Sequence, residues 1–348
     1  MAVKSQPGAG AAQARRLRNG LISVAVLAAL VAGLLLAVPG LHGVLDAVGD
    51  MSGGWVAAAV AFEFLSCAGY VVIFLRVFDR APPVFGARVA LSEMAFGAAV
   101  SLGGAGSIVV GAWLLRERGM ATAEIAERSA VLFLLTTAVN ALTLAAIGIG
   151  AAIGILPAPD KPLLTIVPGA LSLALFLGFF VLLPRLGDRG ANARQSGRIA
   201  TALRVTARTI RETRRTLFTP DWRTLGALAF LWCDIAVLWA CFHALGHAPP
   251  LAVIVLAYQI GYLANVLPIP GNIGALEGSF VGMLVLYGAR ATPAAAAAVV
   301  YHAIALWIPT LLGTIAFIRL RRAPIEALGP PLPQMPRRGP RLRRRTLS

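Results

Sequence analysis

Apolar residues in this chain come in long unbroken blocks, not in the short alternations of a half-buried strand or the three-four spacing of a soluble helix. Such blocks fill 19–41, 53–77, 128–153, 163–184, 223–246 and 294–318. A helix needs about 20 apolar residues to cross a bilayer core, so the pattern predicts six full spans. Two further apolar stretches, 88–115 and 251–288, are interrupted in the middle by Ser101-Leu-Gly-Gly-Ala-Gly106 and Pro268-Ile-Pro-Gly-Asn-Ile-Gly274. Pro and Gly in such clusters break a helix and leave backbone groups unpaired, which is tolerated at membrane depth only against protein or water.

Composition agrees with this pattern. Of 348 residues 58% are hydrophobic and 13% charged, where soluble domains carry about 25% charge. Mean hydropathy is +0.79. The formal charge of +16 would also suit a nucleic-acid binder, but the charges lie between the apolar blocks, so no nucleic-acid partner is expected. The first block follows Arg15, Arg16 and Arg18 as a signal peptide would. Its length exceeds an h-region, so it reads as a retained span.

Charge placement then tests the broken stretches. If both crossed the membrane, the loop 185–223, with ten arginines, would lie outside, against the positive-inside rule. If each returns to its own side as a re-entrant hairpin, 29 of the 31 basic residues fall inside and only Lys161 and Arg290 outside. Both termini are then cytoplasmic and the chain sits in the cell (inner) membrane. The expected fold is all-α: six full spans and two broken re-entrant hairpins.

The same topology exposes a repeat. At an offset of 170 residues Met120-Ala-Thr-Ala aligns with Arg290-Ala-Thr-Pro and Gly104 with Gly274; at 171, Glu63 aligns with Asp234. Each half reads span, span, broken hairpin, span, and the second begins on the opposite side, giving inverted-topology repeats of the kind secondary transporters use. The expected organisation is a basic amino terminus at 1–18, repeat A at 19–153, repeat B at 154–322 with the basic loop 185–223, and a disordered basic tail at 323–348. In the loop, Ile199, Leu203, Thr206, Ile210 and Leu217 recur at helical spacing with arginines elsewhere. An amphipathic helix on the anionic inner leaflet and a solvated basic loop both account for that.

Ionisable groups inside spans are costly, so Glu63 and Asp234 are candidates for the positive part of a substrate or a coupling proton, against the alternative of a structural buried carboxyl. Tyr258, Tyr262 and Asn265 fall at i, i+4 and i+7 of one helix face. After them come Pro268, Pro270, Gly271, Asn272, Gly274 and Glu277. A helix restarting there offers free N–H groups to an anion, and phosphate is the obvious lipid group. The first broken stretch repeats this with Glu93, Ser101, Gly104, Gly106 and Ser107; close helix packing is the plainer account of its glycines. His302 follows Tyr301 in the last span as a further cavity candidate. Arg76 and Arg128 suit snorkelling to the interface or a lipid phosphate. No catalytic motif, metal spacing or cofactor fingerprint is found, and Cys67, Cys233 and Cys241 read as buried small hydrophobes.

Pro268-Ile-Pro-Gly-Asn-Ile-Gly-Ala-Leu-Glu277, Gly288, the aromatic last span Tyr301–Pro309 and Phe74-Leu-Arg-Val-Phe78 resemble the lysylphosphatidylglycerol synthase transmembrane-region family of flippase-like membrane proteins, over roughly residues 15 to 322. The resemblance implies translocation of a phospholipid or polyprenyl-linked lipid without the soluble aminoacyl-transferase domain of bifunctional members. Gly106-Ser107 and Tyr301-His302 depart from the family's frequent Gly-Glu and Tyr-Arg. The expected function is lipid translocation without catalysis, with membrane lipids as partners and a homo-oligomer allowed. The alternatives are a membrane enzyme or subunit in polyprenyl-linked glycan assembly, and a membrane anchor for a cytoplasmic enzyme.

Overall fold

The computed structural model describes residues 41–99, 105–157, 162–185, 198–262 and 275–322, with side chains placed at 44–97, 107–157, 162–185, 206–262 and 278–322. Every regular element among them is helical. The chain divides into two compact units after Asp50. The described part of the first is a short helix, α1 (Leu41–Gly49). The second contains α2 (Gly53–Val77), α3 (Pro83–Ala99), α4 (Ala105–Glu117), α5 (Thr122–Ala152), α6 (Pro162–Leu177), α7 (Arg198–Phe218), α8 (Leu225–Ala244), α9 (Leu251–Gly261), α10 (Ala275–Leu286) and α11 (Ala291–Arg322).

Five helices are long and apolar enough to cross a membrane: α2, α5, α6 continued through a π turn to Arg185, α8 with its lead-in turn at Trp222–Thr224, and α11. These match five of the six expected spans. The sixth, 19–41, falls outside the described residues but for its last position, which opens α1. So do the termini, Ser101, Gly104, Asn265, Pro268, Pro270, Gly271, Asn272 and Gly274. The side chain of Glu277 and the surroundings of Gly106 are likewise outside. α5 begins six residues earlier than the apolar run, because its first turns carry Glu124, Glu127 and Arg128, charges that find partners at the bundle's end.

Each broken stretch is two short helices packed on one another, α3 on α4 and α9 on α10. They have 17, 13, 11 and 12 residues; at 1.5 Å per residue none reaches the roughly 30 Å of a hydrocarbon core.

The most extensive helix pair is α2 with α8. It closes on glycine: a Cβ on Gly69 would lie 2.6 Å from Phe230 N, and one on Gly226 2.7 Å from Gly69 O. Small residues let backbones touch where no hydrophobic force drives helices together in lipid. Ser66 Oγ adds a hydrogen bond to Phe230 O at 2.9 Å. At the other end the helices are held by rings, Trp55 lying 5.3 Å from Trp239 and 4.9 Å from His243. α3 packs on α11, α9 on α5, and α5 on α6. Pro168 inside α6 cannot donate to the carbonyl four residues back. That carbonyl, of Leu164, accepts instead from Tyr287 Oη at 2.7 Å, so a break in the ladder becomes a tie to the end of α10.

The basic loop forms α7, as its periodicity predicts, but its described apolar face is covered by protein. Ala207, Ile210 and Thr213 are fully buried, and Ile210 packs with Ala138 of α5 and Phe180 beyond α6. Arg208, Arg211, Arg214 and Arg215 are exposed on the other face.

Candidate functional site

Glu63 stands near the middle of α2 and Asp234 near the middle of α8, and the crossing of these helices brings the two carboxyl groups within hydrogen-bonding reach of each other. Glu63 is only 3% exposed, and Cys67, one turn on, lays its Sγ 3.8 Å from Glu63 Oε1. Asp234 accepts hydrogen bonds from Tyr258 Oη of α9 and from Tyr301 Oη of α11, the latter at 3.3 and 3.2 Å to its two oxygens. The Tyr258 ring stacks on Tyr262 at 5.6 Å and on Phe280 of α10 at 5.7 Å, and meets Tyr301 edge-on at 6.1 Å. Four helices of the second half thus deliver a tyrosine-lined polar centre to a carboxyl from the first. No ion pair reaches either carboxyl among the described residues. Nor do three metal-ligating side chains cluster anywhere among them.

A second buried carboxyl lies within the first hairpin pair. Glu93 of α3 accepts from Tyr70 Oη of α2 at 3.0 Å. Its carboxyl occupies the space that any side chain at Gly111 of α4 would need. That glycine explains why α3 and α4 can sandwich a carboxyl. Ser107 lies nearby in the same pair, a Cβ on Gly97 coming 3.2 Å from Ser107 Cβ.

One end of the bundle is built from opposite charges. Arg76 Nε lies 3.0 Å from Asp221 Oδ2, and Arg223 forks Asp221, its Nη2 at 2.8 Å. Arg128 contacts Asp79 at 2.6 Å, Glu124 at 3.2 Å and the Val77 carbonyl; Arg80 also reaches Glu124, at 3.4 Å. Hydrogen bonds from Arg223, with the Arg76 charge, hold the Asp221 carboxyl at about 2, below its ordinary 3.8. Arg76 and Arg128 are therefore not bare snorkelling groups but members of an ion-pair network.

Of the candidates read from sequence, Glu63, Asp234, Tyr258 and Tyr262 come together. Glu93 and Ser107 belong to the separate α3–α4 set, and half-buried His302 lies with its ring 6.3 Å from Tyr301. Tyr301, Tyr70, Cys67 and Gly111 were missed as site residues. Tyr301 had a signal, a lone hydroxyl closing the alanine-rich run 294–300; the other three had none, since only tertiary packing sets their partners.

The chain is 40% identical over 86 residues to a UPF0104 membrane protein of Methanothermobacter thermautotrophicus, a stretch that is 24% of either protein, so it spans about a quarter of the length of the curated relative it matches. The family described as the lysylphosphatidylglycerol synthase TM region matches residues 20–313. With its apolar spans and this match over most of its length, the chain is a multi-pass membrane protein that belongs to the lysylphosphatidylglycerol synthase TM region family.

Proposed function

We infer that the chain moves a lipid with a phosphate-bearing head group between leaflets. One observation carries the reading: a polar centre of two carboxyls and tyrosines is buried beside helices too short to cross a bilayer. Such broken elements next to a mid-membrane polar site are how transporters offer a path for a polar group through hydrocarbon. The family's name points to an aminoacylated phospholipid as the class of cargo.

In this reading α3–α4 and α9–α10 are re-entrant hairpins of two inverted repeats. The pairing of α3 with α11 and of α9 with α5, and the meeting of Glu63 with its repeat counterpart Asp234, support that arrangement. The arginine-rich end, with both termini, faces the cytoplasm, where the outer face of α7 meets anionic lipid. To this path we assign the candidates that lie outside the described residues, Ser101, Gly104, Asn265, Pro268, Pro270, Gly271, Asn272 and Gly274, together with Gly106 and Glu277; phosphate goes to backbone N–H groups and Asn272, and the cationic part of the head group to Glu277.

The test is reconstitution in phosphatidylethanolamine and phosphatidylglycerol vesicles with fluorescent lysylphosphatidylglycerol, following transfer between leaflets by surface quenching. Faster transfer than in protein-free vesicles is expected, with a loss of tenfold or more in Glu277→Gln protein that still elutes as a folded species. Transfer equal to protein-free vesicles would remove the reading, and an unaltered Glu277→Gln rate would remove Glu277 from the path.

A further inference from the structure

Recognition of a lipid head group does not by itself account for two carboxyls facing each other. An ionised carboxylate only accepts hydrogen bonds, so two of them in contact have nothing to share unless one carries a proton. The surrounding donors distinguish the partners. Asp234 receives the hydroxyls of Tyr258 and Tyr301, the surroundings of an anion. Glu63 Oε2 is fully buried and meets no donor, the surroundings of a carboxylic acid's own hydroxyl. The titratable groups facing the pair are Cys67 on α2, Cys233 on α8, Tyr258 and Tyr262 on α9, and Tyr301 on α11. The charged residues of α5, which packs on both α2 and α8, are Glu124, Glu127 and Arg128, at its far beginning and paired there; α3, which packs on α2, brings Glu93, held by the Tyr70 hydroxyl. The pair therefore holds one proton and one negative charge, with no described cation to balance it.

We propose that Glu63 and Asp234 form a proton-binding site that couples proton movement to transfer of the lipid, a coupling that rests on the translocation reading above. Loading a second proton makes an O–H bond on Asp234 and leaves the pair neutral; breaking that bond returns the proton to water and restores the single charge. No other bond changes. A metal cation is a poorer occupant, because the tyrosine hydroxyls aim hydrogens at Asp234 instead of lone pairs. Tyr262, stacked on Tyr258 and half exposed, leads from the pair toward the outside of the described bundle.

The experiment has two readouts on the full chain in phosphatidylethanolamine and phosphatidylglycerol vesicles. Infrared difference spectra across a pH step should show a protonated-carboxyl band in the parent protein that persists in Glu93→Gln, which removes the separate carboxyl held by Tyr70, and that is lost from both Glu63→Gln and Asp234→Asn, each checked for monodisperse elution. A one-unit pH gradient should shift the steady-state leaflet ratio of fluorescent lysylphosphatidylglycerol by up to about tenfold, the limit for one proton per lipid, and should shift nothing in Glu63→Gln or Asp234→Asn. Absence of the band overturns the proton site whatever the lipid does. A band with lipid transfer indifferent to the pH gradient, or following a sodium gradient instead, overturns the coupling and leaves translocation standing. No lipid transfer at any pH overturns the translocation reading and the coupling with it, and the band alone then decides whether the pair binds a proton.

Discussion

Arg76 and Glu63 lie on one helix, 13 residues or about 20 Å apart, and they meet opposite company. At the Arg76 end, cations and carboxylates alternate through Asp221, Arg223, Asp79, Arg128 and Glu124. Every ion pair among the described residues lies at this end, including Arg208 with Glu127 and Arg321 with Glu117. In the middle, carboxyl faces carboxyl and only hydroxyls and a thiol attend them. A water-facing end can keep full charges because solvent shares the cost of holding them. The interior cannot, and charge there is managed by uncharged donors.

The contrast can be broken outright by separating the helices that carry both regions. Gly226→Leu drives a side chain into the α2 backbone at Gly69 and Ile73. We expect a loss of about 3 kcal/mol, read as a lowered unfolding temperature in detergent, with Gly226→Ala losing less. Unchanged stability would mean that the crossing is not locked by glycine.

Next in size is Arg128→Met, which strips a donor from the Val77 carbonyl and a partner from buried Glu124. A loss of about 2 kcal/mol is expected, larger at low salt than at high salt. Asp234→Asn should go the other way: removing the unbalanced interior charge leaves stability within about 1 kcal/mol of the parent or above it. A loss as large as that of Arg128→Met would erase the distinction between the regions.

The smallest effect is expected from pH. Asp221 is held at about 2 where 3.8 is ordinary, so its contribution is full above the ordinary value and disappears as pH falls through about 2. Unfolding curves of the parent and Asp221→Asn should differ near neutrality and converge at the acid end of that window. A difference that persists at pH 2 would assign the effect of the substitution to something other than charge.

Much of this could be read from the sequence. The spans were legible because bilayer thickness fixes a length that apolar runs such as 53–77 and 163–184 must meet. Glu63 and Asp234 stood out because a carboxyl in such a run is rare, and the offset of 171 tied them to each other before any geometry did. What pairs across distant elements stayed hidden. Nothing local announces that Asp221 will hold Arg76, that Gly111 makes room for Glu93, or that Tyr287 will complete the ladder Pro168 interrupts. The apolar face of α7 was visible as periodicity, but a stripe that buries itself in protein and one that lies in lipid have the same spacing.

The depth of the carboxyl pair has an electrical consequence. Ten residues of α2 precede Glu63 and fourteen follow it; nine residues of α8 precede Asp234 and ten follow. In a spanning helix this is close to halfway across the insulating layer. A full transmembrane potential does about 2.3 kcal/mol of work on one elementary charge per 100 mV. A charge that reaches Glu63 and Asp234 from either face therefore crosses about half the drop, near 1 kcal/mol per 100 mV. The voltage of the membrane, as well as the acidity on its two sides, sets how often the pair is filled.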